Sequence, residues 1–298
     1  MRIAKRGTCG TCTWKVDNKM TLTIKPMNGK SGVLCRDSKG GWPWWPYRNI
    51  KKVIVMKGVK TGRYAGRMFS GMMDCVEFDV SGLDVSAAED MYGMFAWCSS
   101  LTDISALAEW DVSGVTDMSC MFECCGSLAD VSPLKKWDVS GVVNMSRMFG
   151  GCEQLTDITS LSGWDTSNIS DATGMFWGAV ARYDALDALI PMACPREGAF
   201  IGYKKCRNER IVQLEVPEDA KRSSACRRKC RCSKAKVLNV WTPYGKEAEY
   251  AVSNYKDSFI YRKGKFVEVL NFDEDRFNEC STGIHFFMTR KEAEDYIL

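Results

Sequence analysis

The chain has 298 residues, 45% of them apolar, with a formal net charge of +4 and fifteen cysteines. That length accommodates two or three folding units, and the apolar share is that of a globular protein rather than a disordered one. No run of eighteen apolar residues occurs, so no membrane-crossing helix is expected.

The start, Arg2-Ile3-Ala4-Lys5-Arg6, is charged and leads into Gly-Thr-Cys without the apolar core of a secretory signal. The expected location is therefore cytoplasmic or virion-associated, with the thiols reduced rather than paired. Residues 1–66 are expected to form a small β-rich capping module. Residues 13–16 (Thr-Trp-Lys-Val) and 21–24 (Thr-Leu-Thr-Ile) alternate as strands do, with a polar turn at Asp17-Asn18, and residues 50–55 supply another strand. Cys9-Gly10-Thr11-Cys12 has the spacing of half a zinc site or a redox pair, but no second such pair and no nearby histidine accompanies it. Trp42, Trp44, Trp45 and Tyr47 are the candidate binding residues, as a platform for a sugar or peptide. The other reading of this segment is a plug for one end of a repeat core.

From residue 68 a pattern returns at a fixed step. Met94-Phe95, Met121-Phe122, Met148-Phe149 and Met175-Phe176 are each 27 residues apart, and Trp110, Trp137 and Trp164 keep the same step. Cys98, Cys125 and Cys152 do so too, as do Leu101, Leu128 and Leu155, after a less regular copy at Met68-Phe69. Met118, Met121, Phe122 and Cys125 fall on one face of a helix, and Leu128-Ala129-Asp130-Val131-Ser132 alternates like a short strand. The fold class expected from this is α/β: a leucine-rich-repeat-like solenoid of 27-residue repeats with a β-rich N-terminal cap and a C-terminal α+β domain. The solenoid with its closing cap is assigned to residues 67–195, the cap being a helix over residues 179–190 that ends at Pro191. The repeat cysteines read as small buried hydrophobes.

Trp110-Asp-Val-Ser-Gly-Val-Thr-Asp-Met-Ser-Cys-Met-Phe122 and its copies resemble the BspA-type leucine-rich repeat of bacterial surface proteins. The Gly-Thr-Cys-Gly start and the Pro-Trp segment resemble the module that precedes such repeats, so the likeness covers residues 7–179. It implies protein binding or adhesion. Charge fits that class better than nucleic acid. Residues 84–179 hold 14 acidic and 3 basic side chains, a net of −11 that repels phosphates, so nucleic acid is not an expected partner. The ladder Asp84, Asp111, Asp138 and Asp165 lacks the dense ligand clusters of calcium repeats and reads as turn-forming.

Residues 196–298 are expected to form an α+β accessory domain. Strands are expected at 199–204, 211–216, 235–240, 249–252 and 266–269, and a helix capped by Thr289 runs toward Ile297. Gly202-Tyr203-Lys204, the Pro217 to Ala225 segment, Arg228-Lys-Cys-Arg231 and the Cys280 to Ala293 segment resemble an uncharacterised domain of phage-encoded repeat proteins. That likeness supplies no activity. Cys226, Cys230, Cys232 and Cys280 with His285 have the donor types of a tetrahedral zinc site, though not its usual spacing, so no cofactor is expected. Gly283-Ile-His-Phe-Phe and the helix ending at Tyr296 resemble a segment of poly-ADP-ribose polymerases, but His285 stands where that family has tyrosine and the downstream catalytic strand has no counterpart. The basic run around Arg227-Arg228-Lys229 lacks interleaved aromatics. The expected function is a monomeric, non-enzymatic protein-interaction scaffold, phage or prophage encoded, with an ADP-ribosyltransferase-like C-terminal domain as the alternative.

Overall fold

The structure is a computed structural model that describes residues 5–179, 189–190, 192–224, 229–274, 276, 278 and 281–297. The chain divides into two compact units, Met1–Ile190 and Pro191–Leu298. Among the described residues no helix is long and apolar enough to cross a membrane.

The first unit opens with an antiparallel meander of β1 (Lys5–Cys9), β2 (Cys12–Val16) and β3 (Thr21–Pro26). The turn between β2 and β3 is held by Asp17, whose Oδ1 accepts from the Lys19 and Thr21 amides at 2.9 Å each. β5 (Lys52–Val55) and β7 (Glu77–Asp79) then add in parallel, completing the order β1-β2-β3-β5-β7. A second, three-stranded parallel sheet is made of β4 (Gly32–Val33), β6 (Val59–Lys60) and β8 (Leu83–Asp84).

Beyond Asp84 the described part of the first unit has no further ladder, only single parallel bridges linking Tyr64, Asp90, Asp117, Asn144 and Asp171 in series. The α/β leucine-rich-repeat-like solenoid expected from the 27-residue spacing is not what forms. The described residues are mostly β-sheet, in separate five-, seven-, two- and three-stranded sheets, and beyond Asp84 the repeated units add neither an α-helix nor a strand of a shared sheet.

Local chemistry explains both departures. The Met-x-x-Met-Phe-x-x-Cys segment has helical spacing, but two of its positions take the left-handed backbone in every copy. One is Arg67, Gly93, Cys120, Arg147 and Gly174, and the other is Gly71, Trp97, Cys124, Gly151 and Gly178. An α-helix cannot pass through such residues, each costing about 1–2 kcal/mol outside glycine. The Asp-x-Ser step that reads as a strand closes on itself instead. Asp130 Oδ1 accepts from the Ser132 amide at 2.8 Å and starts a short 3-10 turn over Ser132–Lys136 with Pro133 in its first turn. Asp103 and Asp157 do the same before Ser105–Leu107 and Thr159–Leu161.

Successive units nonetheless lie side by side. Phe95, Phe122 and Phe149 are fully buried, with ring centroids 5.6 Å apart and planes within 4°. Such pairs add about 0.5–1.5 kcal/mol beyond area burial. Trp110 and Trp137 stack at 6.5 Å, and the indole N–H of Trp137 donates to the Leu107 carbonyl at 3.0 Å. The thiols of Cys98, Cys125 and Cys152 donate to the carbonyls of Phe69, Phe95 and Phe122 at 3.2, 3.2 and 3.3 Å. Burial pushes the Cys152 thiol up to about 12, outside the reactive range.

The second unit is a seven-stranded antiparallel sheet, mostly β where α+β was expected. Its strands are β9 (Phe200–Lys205), β10 (Ile211–Val216), β11 (Arg222–Ser223), β12 (Lys229–Cys232), β13 (Lys234–Trp241), β16 (Phe266–Glu268) and β17 (Ile284–Phe287). They lie in the order β11-β12-β17-β9-β10-β13-β16, beside a hairpin of β14 (Tyr250–Val252) and β15 (Ile260–Arg262). Val212, Leu214, Val237, Val240, Ile284 and Phe286 form its core. The six-residue helix α1 (Arg290–Asp295) is started by a capping box between Thr289 and Glu292. Gly202 is required by close approach, since a Cβ there would sit 2.5 Å from the Phe286 ring. The closing helix expected over 179–190 falls largely on residues 180–188, outside the described residues.

Gly151→Ala tests the turn architecture by its sign. Gly151 has φ 74° and a Cβ there would press on Cys124, so the variant is expected to lose about 1–2 kcal/mol in urea unfolding. A helix at this position would instead gain about 1 kcal/mol from alanine.

Candidate functional site

The tryptophan segment sits where the stack begins. Trp42 and Trp44 are buried, at 2% and 0% exposure, and their rings stack 5.5 Å apart, with Trp44 6.4 Å from Phe69. Trp45 and Tyr47 are half-buried, and Tyr47 packs 5.8 Å from Trp14. The polar tips of this segment do a specific job. In the unit that follows, the carbonyls of Tyr92, Met94 and Ala96 accept from the backbone N–H groups of Arg67, Phe69 and Gly71. One unit earlier the equivalent carbonyls are those of Gly66, Met68 and Ser70. They accept from the Trp42 indole at 3.0 Å, the Trp44 indole at 2.7 Å and the Arg48 guanidinium at 3.4 Å. Side chains thus satisfy acceptors that every later unit satisfies with backbone. Trp42 and Trp44 are consumed by this contact and leave no open aromatic platform.

The outward positions of the Met-Phe turn offer a different surface. The two residues after Phe are Ser70-Gly71, Ala96-Trp97, Glu123-Cys124, Gly150-Gly151 and Trp177-Gly178, so backbone geometry repeats while the side chains do not. Trp97 and Trp177 are 52% and 61% exposed. Arg67 lies 4.8 Å from the Tyr92 ring and donates to its hydroxyl at 2.8 Å, and Arg147 pairs with Glu123 at 3.3 Å. These residues break the repeat, so periodicity does not mark them. That irregularity inside an invariant frame was the available signal.

The aspartate ladder is occupied by its own turns. Oδ1 of Asp84, Asp111 and Asp138 accepts both the amide and the hydroxyl of the serine two residues on, at 2.6–3.1 Å. Asn144 does the same for Ser146 at 3.0 and 2.8 Å, so the turn needs the carbonyl-type acceptor rather than the charge. The Ser86 hydroxyl and Lys60 hold the Asp84 carboxyl down at about 2, and Asp138 and Asp165 are lowered by Ser140 and Ser167.

Of the candidate metal ligands, Cys226 and Cys280 lie outside the described residues. Cys230 and Cys232 are buried on β12, and His285 is on β17 opposite Arg231, the residue between them. The Cys230 thiol is hydrogen-bonded to Cys194, which pushes Cys230 up and draws Cys194 down. Among the described residues no three His, Cys, Asp or Glu side chains gather as a metal would need. His285 does precede α1 in a strand-then-helix order.

Residues 64–188 match the family described as a Mycoplasma protein of unknown function, DUF285, and residues 190–293 match a family of unknown function, DUF5758. Among solved structures, a leucine-rich repeat protein from Eubacterium ventriosum is 15% identical over 56% of this chain, with a TM-score of 0.32. The alignment spans 45% of that protein's length, and at so low a score it carries no argument about this chain. No curated protein matches.

Two outcomes follow from the cap and the aspartate turns. Trp44→Phe keeps the ring but strands the Met68 carbonyl, and is expected to lose about 1–3 kcal/mol in denaturant unfolding. The lowered aspartates contribute stability that is complete above pH 4 or so and is lost as pH falls toward 2, because the unfolded chain takes up protons first. Melting temperature is expected to drop steeply across that window, and less steeply in Asp84→Asn, which keeps the turn acceptor but not the titration.

Proposed function

We propose that the first unit is a non-enzymatic scaffold that binds a basic protein through the outward side chains of the Met-Phe turns. The repeat-family match over residues 64–188 is compatible with a protein-interaction role. The observation that carries the reading is the pairing of a fixed backbone with changing side chains, two of them exposed tryptophans. Tryptophan and arginine are the residue types that dominate interface energies when a partner covers them. The net charge of −11 over residues 84–179 selects a basic partner and disfavours nucleic acid.

This reading takes the chain to act as a monomer without a cofactor, in the cytoplasm or on a virion. The BspA-like surface-protein kinship and the phage or prophage origin suggested by the C-terminal half belong to the same proposal.

The immobilised full chain is expected to capture a basic protein from host extract, with binding weakened by raising salt. Trp97→Ala with Trp177→Ala is expected to weaken capture of that protein at least tenfold, while Ser113→Ala on the aspartate turns leaves it intact. Equal capture by the double tryptophan variant would remove the proposed face.

A further inference from the structure

The second unit contains a cavity of about 820 Å³, a size suited to a small ligand, that the scaffold reading does not use. It lies where the seven-stranded sheet parts. β17 meets β9 at a single register position, Phe287 with Tyr203, although the neighbouring strand pairs run for several residues. Lys204, the next residue of β9, enters this opening. It is 6% exposed, its ammonium donates to the His285 carbonyl at 3.1 Å, and it lies 5.7 Å from the Tyr261 ring.

Among the described residues no carboxylate pairs with Lys204. An ammonium has three donors and is costly to bury without a counter-charge. Burial pulls Lys204 below the ordinary lysine range, with the nearby Lys229 charge acting in the same direction and Cys206 and Cys232 against it. An anion in the cavity would oppose both effects by favouring the charged ammonium.

The remaining wall fixes the class of anion. Lys204, Lys229 and Lys256 face one carboxylate, Glu268, leaving an excess of about two positive charges. A phosphate monoester carries about −1.5 to −2 at neutral pH, against −1 for a carboxylate. Tyr255, Phe259 and Tyr261 line the same space and provide flat apolar surface. The wall is also held in place. Ser253 donates its amide to the Phe259 carbonyl at 3.0 Å, Arg207 pairs with Asp257 at 2.5 Å, and Arg231 donates to the Thr282 carbonyl at 3.0 Å.

We propose that this cavity is a binding site for a small phosphate monoester carried on a flat aromatic body, with Lys204 holding the phosphoryl group and the tyrosine and phenylalanine rings holding the body.

Calorimetric titration of the full chain with phenyl phosphate, benzoate, phenol and inorganic phosphate tests it. Phenyl phosphate is expected to bind at least tenfold tighter than any of the other three, and Lys204→Met to weaken it at least tenfold. Equal binding of phenyl phosphate and benzoate would overturn the phosphate assignment, and wild-type affinity in Lys204→Met would overturn the site. Should Lys204→Met not fold by circular dichroism, Lys229→Gln with Lys256→Gln decides instead: a weakening of tenfold or more supports the site and unchanged affinity removes it. Trp97 and Trp177 are not among the residues that line this cavity, so its failure and that of the scaffold reading are separable.

Discussion

The first unit depends on where the backbone N–H groups of the Met-Phe turns go. In the copies from Met68 to Met148 they alternate. Phe95 and Trp97 donate to Met121 and Glu123 of the following unit, whereas Met94, Ala96 and Cys98 donate three residues back within their own. The two left-handed residues make the alternation possible by turning every second N–H outward. A helix would keep all of these bonds to itself and give neighbouring units nothing but side chains to hold by. Here the rings, thiols and indoles stack because the backbone has already set the spacing.

The same constraint creates a problem at the start of the stack, where no earlier unit exists to donate. The Trp-Pro-Trp-Trp segment answers it with side chains placed at the height of a backbone strand. Its rings extend the phenylalanine stack and its N–H groups meet the exposed carbonyls. Trp42 and Trp44, which look like part of a recognition surface in the sequence, are thereby withdrawn from solvent. In the scaffold we propose, recognition falls to positions the frame leaves unspecified, which are also the ones that vary.

In the second unit a sheet whose strands pair over several residues on either side opens at one seam, between β9 and β17, and a buried lysine occupies the opening. A hydrophobic side chain would close such a seam at lower cost, since an ammonium there sacrifices hydration. A cationic group at a sheet opening beside aromatic rings therefore reads as a site rather than as packing. Thr289 and Glu292 cap the helix that follows β17.

The sequence alone determined the 27-residue step, the identity of the stacked residues and several strands of each unit, including the strands around Thr13, Thr21, Ile211 and Val237. It also marked the N-cap at Thr289. These depend on periodicity and on local hydrogen bonding, which a one-dimensional pattern records. Tertiary structure decided that Met118, Met121, Phe122 and Cys125 form a left-handed-punctuated turn rather than a helix, because cysteine and arginine at Cys120, Cys124 and Arg147 give no local sign of positive φ. It also decided which tryptophans are buried and placed Lys204 beside His285 across 81 residues of chain. Helical spacing and this turn put the same side chains inward, so only the direction of the backbone N–H groups, which no side-chain pattern encodes, separates them.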